Sequence, residues 1–195
     1  MKRQSSQDES RLGFSLVEML VVMAIIAILM VMTLPAFSSL TSGWRLTQAA
    51  AAVRGELQMA RQLSIGRNLN VIVNLCQRRD DAGSTSYNTI LLQYQKHDGT
   101  IEAATRAIKL PPGFAIAEST QWSSLMSQSL TNATNAGTVY PCRRFSFRPG
   151  GALSLNSSSN WFVTVYRTVE GADPSKNYII LQIDPLTGVI TTFQP

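Results

Sequence analysis

The stretch that most limits what this chain can become is residues 14–34, FSLVEMLVVMAIIAILMVMTL, 21 residues whose single formal charge is Glu18. At about 1.5 Å of rise per residue, a helix of that length covers roughly 31 Å, the depth of a bilayer's hydrocarbon. Lys2, Arg3 and Arg11 precede the run and the next basic residue is Arg45. The positive-inside rule therefore keeps the short N-terminus cytoplasmic and exports the rest. A cleavable secretory signal has an apolar region of about 7–15 residues followed by a small-residue cleavage site. This run is longer and no A-x-A follows it. A plain signal anchor fits the length but leaves Glu18 without a purpose, since an acidic residue at mid-membrane costs about 2.5–3.5 kcal/mol on insertion scales.

Cutting the chain between Gly13 and Phe14 supplies one. Glu18 would become the fifth residue of the new chain, and Phe14 would carry an ammonium at the start of a helix. Two such helices, side by side and offset by about a turn, place one ammonium against the neighbour's carboxylate. Each buried charge then neutralises the other, which favours a regular array.

The basic leader, the hexapeptide GFSLVE and the apolar run behind it resemble the prepilin signal of type IV pilins and type II secretion pseudopilins. The resemblance implies that a prepilin peptidase cuts after Gly13, that Phe14 is N-methylated, that Glu18 governs subunit docking, and that Pro35 marks a helix kink at the outer end of the membrane span. It also implies the partners: the peptidase, the inner membrane, and other pilins or pseudopilins met through the N-terminal helix.

Beyond Pro35, the sequence WRLTQAAAAVRGELQMARQLSIGRN reads as an amphipathic helix. Leu46, Ala50, Val53, Leu57, Ala60 and Ser64 recur at steps of four and three, the spacing of one helical face. Arg54 and Arg61 fall on another face, read as solvated, and Asn68 suits the terminus. Short alternating segments follow at 69–75, 89–95, 101–110, 145–147, 161–167, 178–184 and 189–193, which predict strands. The polar stretch QRRDDAGSTSY is expected to be a loop, and DPLTG at 184–188 a hairpin turn, with proline fixing φ and glycine left-handed. Residues 117–140 are rich in Ser, Thr, Asn and Gln, with Trp122, Leu125, Met126 and Leu130 at helical intervals, and are read as a short helix or a surface insertion.

This half carries a weaker resemblance. LQMARQLSIGRNLNVIVNL, FSFRPGG and NYIILQIDPLTGVITTF resemble the pseudopilin H/FimT group, and the IDPLTG ending is most similar to the Verru_Chthon cassette protein D group of prepilin-like proteins. The expected fold is α+β and pilin-like: a long N-terminal α-helix, membrane-spanning in its first half, packed on a small antiparallel β-sheet domain. The expected organisation is a cytoplasmic leader at 1–13, the membrane half of the helix at 14–35, its amphipathic half at 36–68, and a periplasmic β-rich domain at 69–195. After processing, this single-pass inner-membrane protein would enter a fibre.

No catalytic constellation is visible. His97 is the sole histidine and lies in KHDG, which reads as a hairpin tip. The carboxylates are scattered, and no phosphate-cradling glycine loop, GxSxG or HExxH occurs. The chain is read as a non-enzyme with no cofactor. Cys76 and Cys142, 66 positions apart, show no metal-ligand spacing. Beyond the membrane they are either bridged or two separate buried thiols. Net charge is +5 from 17 basic and 12 acidic residues, which permits contact with an acidic partner without demanding one. The resemblance to FimT-like pilins implies the alternative function, a DNA-uptake minor pilin. Some FimT-like pilins bind DNA through C-terminal basic residues, but this chain has no Lys or Arg after Lys176. Weak contact would fall to Arg78-Arg79 or to Arg143, Arg144 and Arg148, and nucleic acid ranks below protein partners. A small-molecule binding module would leave Gly13, Phe14 and Glu18 unexplained.

Overall fold

The computed structural model describes residues 15–79, 83–168, 174 and 177–194, and of residues 32–42 the backbone alone. Two compact units divide the chain, Met1–Ser42 and Gly43–Pro195. One helix, α1 (Leu16–Arg67), supplies the described part of the first unit and opens the second.

In the second unit α1 buries the stripe that its sequence spells. Leu46, Ala50, Val53, Leu57, Ala60 and Ser64 are all buried, joined by Ala49 and Glu56. Leu57 is the largest fully covered side chain among them, and truncating it to alanine would cost roughly 2–5 kcal/mol. Alanines elsewhere on the stripe let the helix lie close to the sheet. The helix stops where Asn68 turns left-handed, at φ 53°, a conformation asparagine tolerates better than most residues.

Among the described residues ten strands form one antiparallel sheet. They are β1 (Asn70–Arg79), β2 (Thr85–Gln95), β3 (Ile101–Ala103), β4 (Ile108–Lys109) and β5 (Phe114–Ile116), then β6 (Leu130–Asn135), β7 (Thr138–Phe147), β8 (Trp161–Arg167), β9 (Tyr178–Ile183) and β10 (Ile190–Phe193). The order across the sheet is β10-β9-β8-β5-β2-β1-β7-β6, with β3 and β4 also pairing with β2. The first hairpin is thus central, and later strands flank it on both sides. Val71, Val73 and Leu75 of β1, Ile90 and Leu92 of β2, Phe145 and Phe147 of β7, and Val163 and Val165 of β8 share one core with the α1 stripe. Their period of two puts them on one face of the sheet. The architecture is the expected one: an N-terminal helix packed on an antiparallel sheet.

Several local expectations are corrected. The loop expected at QRRDDAGSTSY is shorter, because β1 continues through Arg79 and β2 begins at Thr85, with a register shift between Cys76 and Gln77, and residues 80–82 lie outside the described residues. The single strand expected at 101–110 is two short ones, β3 and β4, which pair with different parts of β2. β7 starts at Thr138 rather than at 145, and β5 and β6 were not foreseen.

Within 117–140, expected as a short helix or a surface insertion, the helical part is a single short turn and the stretch from Leu130 onward is strand, β6 and the start of β7. Only Ser124–Ser127 turns as a 3-10 helix, burying Leu125 and Met126. Around it, polar groups extend the ladder beside β8. The Ala117 amide donates to the Thr164 carbonyl at 2.9 Å. The Ser123 and Ser124 hydroxyls accept from the backbone N–H groups of Thr164 and Phe162 at 3.0 and 2.8 Å. Hydroxyls therefore stand in for a neighbouring strand once β5 has ended, which satisfies buried amides that would otherwise lack partners.

Candidate functional site

Glu18 lies in the first turn of α1, where the helix dipole favours a carboxylate. Around it the helix is apolar on every side, and the side chains from Leu16 to Val31 are exposed, Leu16 at 82%. A helix with no polar face normally lies against other helices or lipid. Within the first unit this surface is uncovered. Among the described residues no helix is long and apolar enough to cross a membrane. Gly13 and Phe14 lie outside the described residues, as does the side chain of Pro35, although the backbone at Pro35 falls within α1.

The basic residues named as weak DNA contacts do not form a common patch. Arg143 and Arg144 are neighbours on β7, so their side chains leave opposite faces of the sheet. Arg143 donates to the Gln128 carbonyl at 2.7 Å. Arg144 donates through Nε to Asn74 Oδ1 at 3.0 Å and through its terminal nitrogen to the Asn132 carbonyl at 3.4 Å. Asn74 in turn donates to Gln93 Oε1 at 3.0 Å and to the Leu91 carbonyl at 3.1 Å. The Arg144 guanidinium thus serves a polar layer on the sheet face away from the helix. Arg148 is exposed beyond the end of β7, and Arg79 Nε donates to the Gly83 carbonyl at 2.9 Å.

Beside that polar layer, Cys76 and Cys142 are direct register partners on β1 and β7. The structure joins them by a disulfide, both sulfurs fully buried. His97 sits in the turn between β2 and β3 and borders an open polar cleft of about 350 Å³ with Asn68, Gln95 and Lys96. Lys96 is paired with Glu102 across that turn. Among the described residues no group of three or more His, Cys, Asp or Glu side chains is placed to hold a metal ion.

Two features escaped sequence reasoning. Arg61, read as solvated, donates from Nε to the Thr187 carbonyl at 2.9 Å and clasps the closing hairpin to the helix. In that hairpin Asp184 Oδ1 accepts from the Leu186 and Thr187 amides at 2.8 and 3.3 Å, and these bonds hold its carboxyl below the usual range. Gly188, at φ 67°, lies so near Gly151 that an added Cβ would stand 2.0 Å from the Gly151 carbonyl oxygen. The second feature is Glu56, 5% exposed, with Oε2 lacking a hydrogen-bond partner; burial pushes its pKa up. The signal was present, because Glu56 stands three residues after Val53 and four before Ala60, alongside the apolar stripe.

Residues 10–34 match the family described as "Prokaryotic N-terminal methylation motif". Among curated proteins no sequence match is found. Two solved structures resemble the chain. One is the minor pseudopilin EpsH from the Type 2 Secretion System of Vibrio cholerae, at 8% identity and TM-score 0.44, covering 77% of this chain and 98% of that one. The other is the type IV minor pilin FimU of Pseudomonas aeruginosa, at 14% identity and TM-score 0.48, covering 80% of this chain and 96% of that one.

Proposed function

We propose that this chain is a non-enzymatic structural subunit, a prepilin-type minor pilin or pseudopilin of a type II secretion pseudopilus or a type IV pilus-like fibre. The observation that carries the reading is the methylation-motif match over residues 10–34, which takes in the charged leader, Gly13, Phe14, Glu18 and the apolar run together. The uncovered apolar helix from Leu16 to Val31 supports it, because such a surface suits first a membrane and then a bundle of identical segments. In this reading residues 1–13 are the cytoplasmic leader, 14–35 the inner-membrane span with its kink at Pro35, and 36–68 with 69–195 the periplasmic part. Prepilin peptidase cuts after Gly13, Phe14 is methylated, and Glu18 meets the ammonium of the next subunit. The finer assignment is to the pseudopilin H/FimT kind, closest in its ending to the Verru_Chthon cassette protein D group. The DNA-uptake alternative draws no support from the structure, since Arg143 and Arg144 already bond protein acceptors.

Intact mass and N-terminal sequencing of the membrane-extracted protein, made with a prepilin peptidase present, test the reading. A chain beginning with methylated Phe14 is expected. A chain beginning after Ala36 would establish an ordinary signal peptide and end the proposal.

A further inference from the structure

The β6–β7 hairpin does not continue the plane of the sheet. β1 and β7 stay in register up to Cys76 opposite Cys142, and the next residue of β7 toward the turn is Pro141. Proline has no N–H to offer a neighbouring strand. The ladder to β1 ends there, and residues 138–141 pair with β6 alone.

One contact fixes where this free end goes. Thr134 lies opposite Val139, three residues beyond Cys142, and Gln93 lies opposite Ile72, four residues before Cys76. In a flat sheet that offset of seven residues would hold the two apart by about 24 Å. Instead, Gln93 Nε2 donates to the Thr134 carbonyl at 3.4 Å. The hairpin end is therefore folded back over the sheet face away from the helix. Arg144 ties it a second time, through its bond to the Asn132 carbonyl. Ala136 and Gly137, at φ 48° and 80°, make the tight two-residue turn at the tip.

Beneath this flap lies the Cys76–Cys142 bridge. Neither cysteine has exposed surface, and Ala133 of β6, 2% exposed, joins their cluster with Leu91. Tyr140 of β7 and Ala107, from between β3 and β4, pack against the same cluster. Leu130 and Val139, on the opposite side of the hairpin, are exposed. Thiol–disulfide exchange needs a thiolate to reach one of the sulfurs. A new S–S bond then forms, the old one breaks, and one cysteine leaves as a thiolate. The second thiolate of an attacking dithiol displaces the other cysteine, so the bridge is reduced to two thiols while the reagent is oxidised to its own disulfide.

We propose that residues 130–141 form a flap, based at Pro141 and held down by Gln93 and Arg144, that gates the Cys76–Cys142 bridge: exchange reaches the sulfurs only while the flap is lifted. The device does not depend on the role of the N-terminal helix.

The test mixes the full chain, in mild detergent, with excess dithiothreitol at mildly alkaline pH, where the thiolate is available. Free thiols are alkylated and counted by mass over time. Wild type should lose its bridge about 100-fold more slowly than oxidised glutathione in the same mixture. Its rate should change little across low urea, because lifting a flap exposes far less surface than unfolding. Ala133→Gln, neutral but too large for the inner side of the flap, should speed reduction roughly tenfold, and Gln93→Leu, which removes one tie, about fivefold. Asn74, which also donates to Gln93, keeps its bond to the Leu91 carbonyl, so Gln93→Leu carries the test if Ala133→Gln does not fold. A wild-type bridge reduced as fast as glutathione refutes the seal. So does a rate that climbs with urea as steeply as global unfolding, or a folded Gln93→Leu chain reduced no faster than wild type.

Discussion

Replacing Glu56 by methionine should stabilise the protein, and by more as the pH rises. Glu56 is 5% exposed on the side of α1 that meets the core, and its Oε2 has no hydrogen-bond partner. A buried oxygen in that position costs about 1–3 kcal/mol, and more when ionised. Methionine keeps the unbranched length and a good helix propensity while removing both oxygens. The pH dependence follows from burial, which raises the folded-state pKa above the ordinary value of 4.5. A folded state that holds its proton more tightly than the unfolded chain is fully stable at low pH and loses stability as pH rises through the folded pKa. The variant lacks that loss. Its advantage should therefore be about 1–3 kcal/mol where the folded-state carboxyl is protonated and larger at neutral pH, where it is ionised, a rise in Tm of roughly 2–4 °C per kcal/mol for a domain of this size. Thermal unfolding of the full-length proteins in one detergent, followed by tryptophan fluorescence across that pH range, measures it. A Glu56→Met chain less stable than wild type at neutral pH, or an advantage that grows toward acid, would refute the argument.

Breaking the Cys76–Cys142 bridge by the double change to alanine frees a loop of 66 residues and should cost about 4 kcal/mol in the chain-entropy model; urea unfolding with and without reductant measures it, and two free thiols in folded, oxidised protein would contradict it. Gly188→Ala should destabilise by about 2–5 kcal/mol, adding left-handed strain to the clash with the Gly151 carbonyl, whereas Gly150→Ala, with nothing within 4 Å, should be near neutral in the same melt. Glu18→Ala should insert and be cut at Gly13 normally yet fail to enter fibres, because an unpaired buried ammonium costs about 3–5 kcal/mol; recovery in sheared fibres relative to membrane level reads this out, and wild-type recovery would refute the docking role.

Elements that bury one face were legible, and those defined by distant partners were not. The α1 stripe and β8 follow periods of four-three and two over enough residues to be read directly. The turn at Asp184–Gly188 was legible because its conformation is local. β5 is only Phe-Ala-Ile, fully buried, and its status as a strand depends on β2 and β8 lying on either side. β6, LTNATN, is an edge strand with a single buried residue, Ala133, so it shows no apolar pattern at all. The serines beside β8 could not be recognised, because a hydroxyl replacing a strand amide leaves no periodic trace. At the candidate site the reverse holds: Gly13, Phe14 and Glu18 form a contiguous motif readable without coordinates. The arginines of β7 looked available only because Asn74, Gln128 and Asn132, which accept from them, are remote in sequence.

The bond from Arg61 to the Thr187 carbonyl closes a span of 126 residues, and that span sets a timetable. A chain made from its N-terminus onward presents the α1 stripe long before the hairpin that clasps it. The central β1–β2 pair can form early from local contacts, but β8, β9 and β10 complete the wall beside it only when the last residues have emerged. Closing so long a loop is slow, so the helix waits with Leu46, Val53 and Leu57 uncovered. Through that interval the unfinished domain is open to proteases, and a chain truncated before Thr187 lacks the clasp. The closing hairpin thereby decides when the core is sealed over the helix.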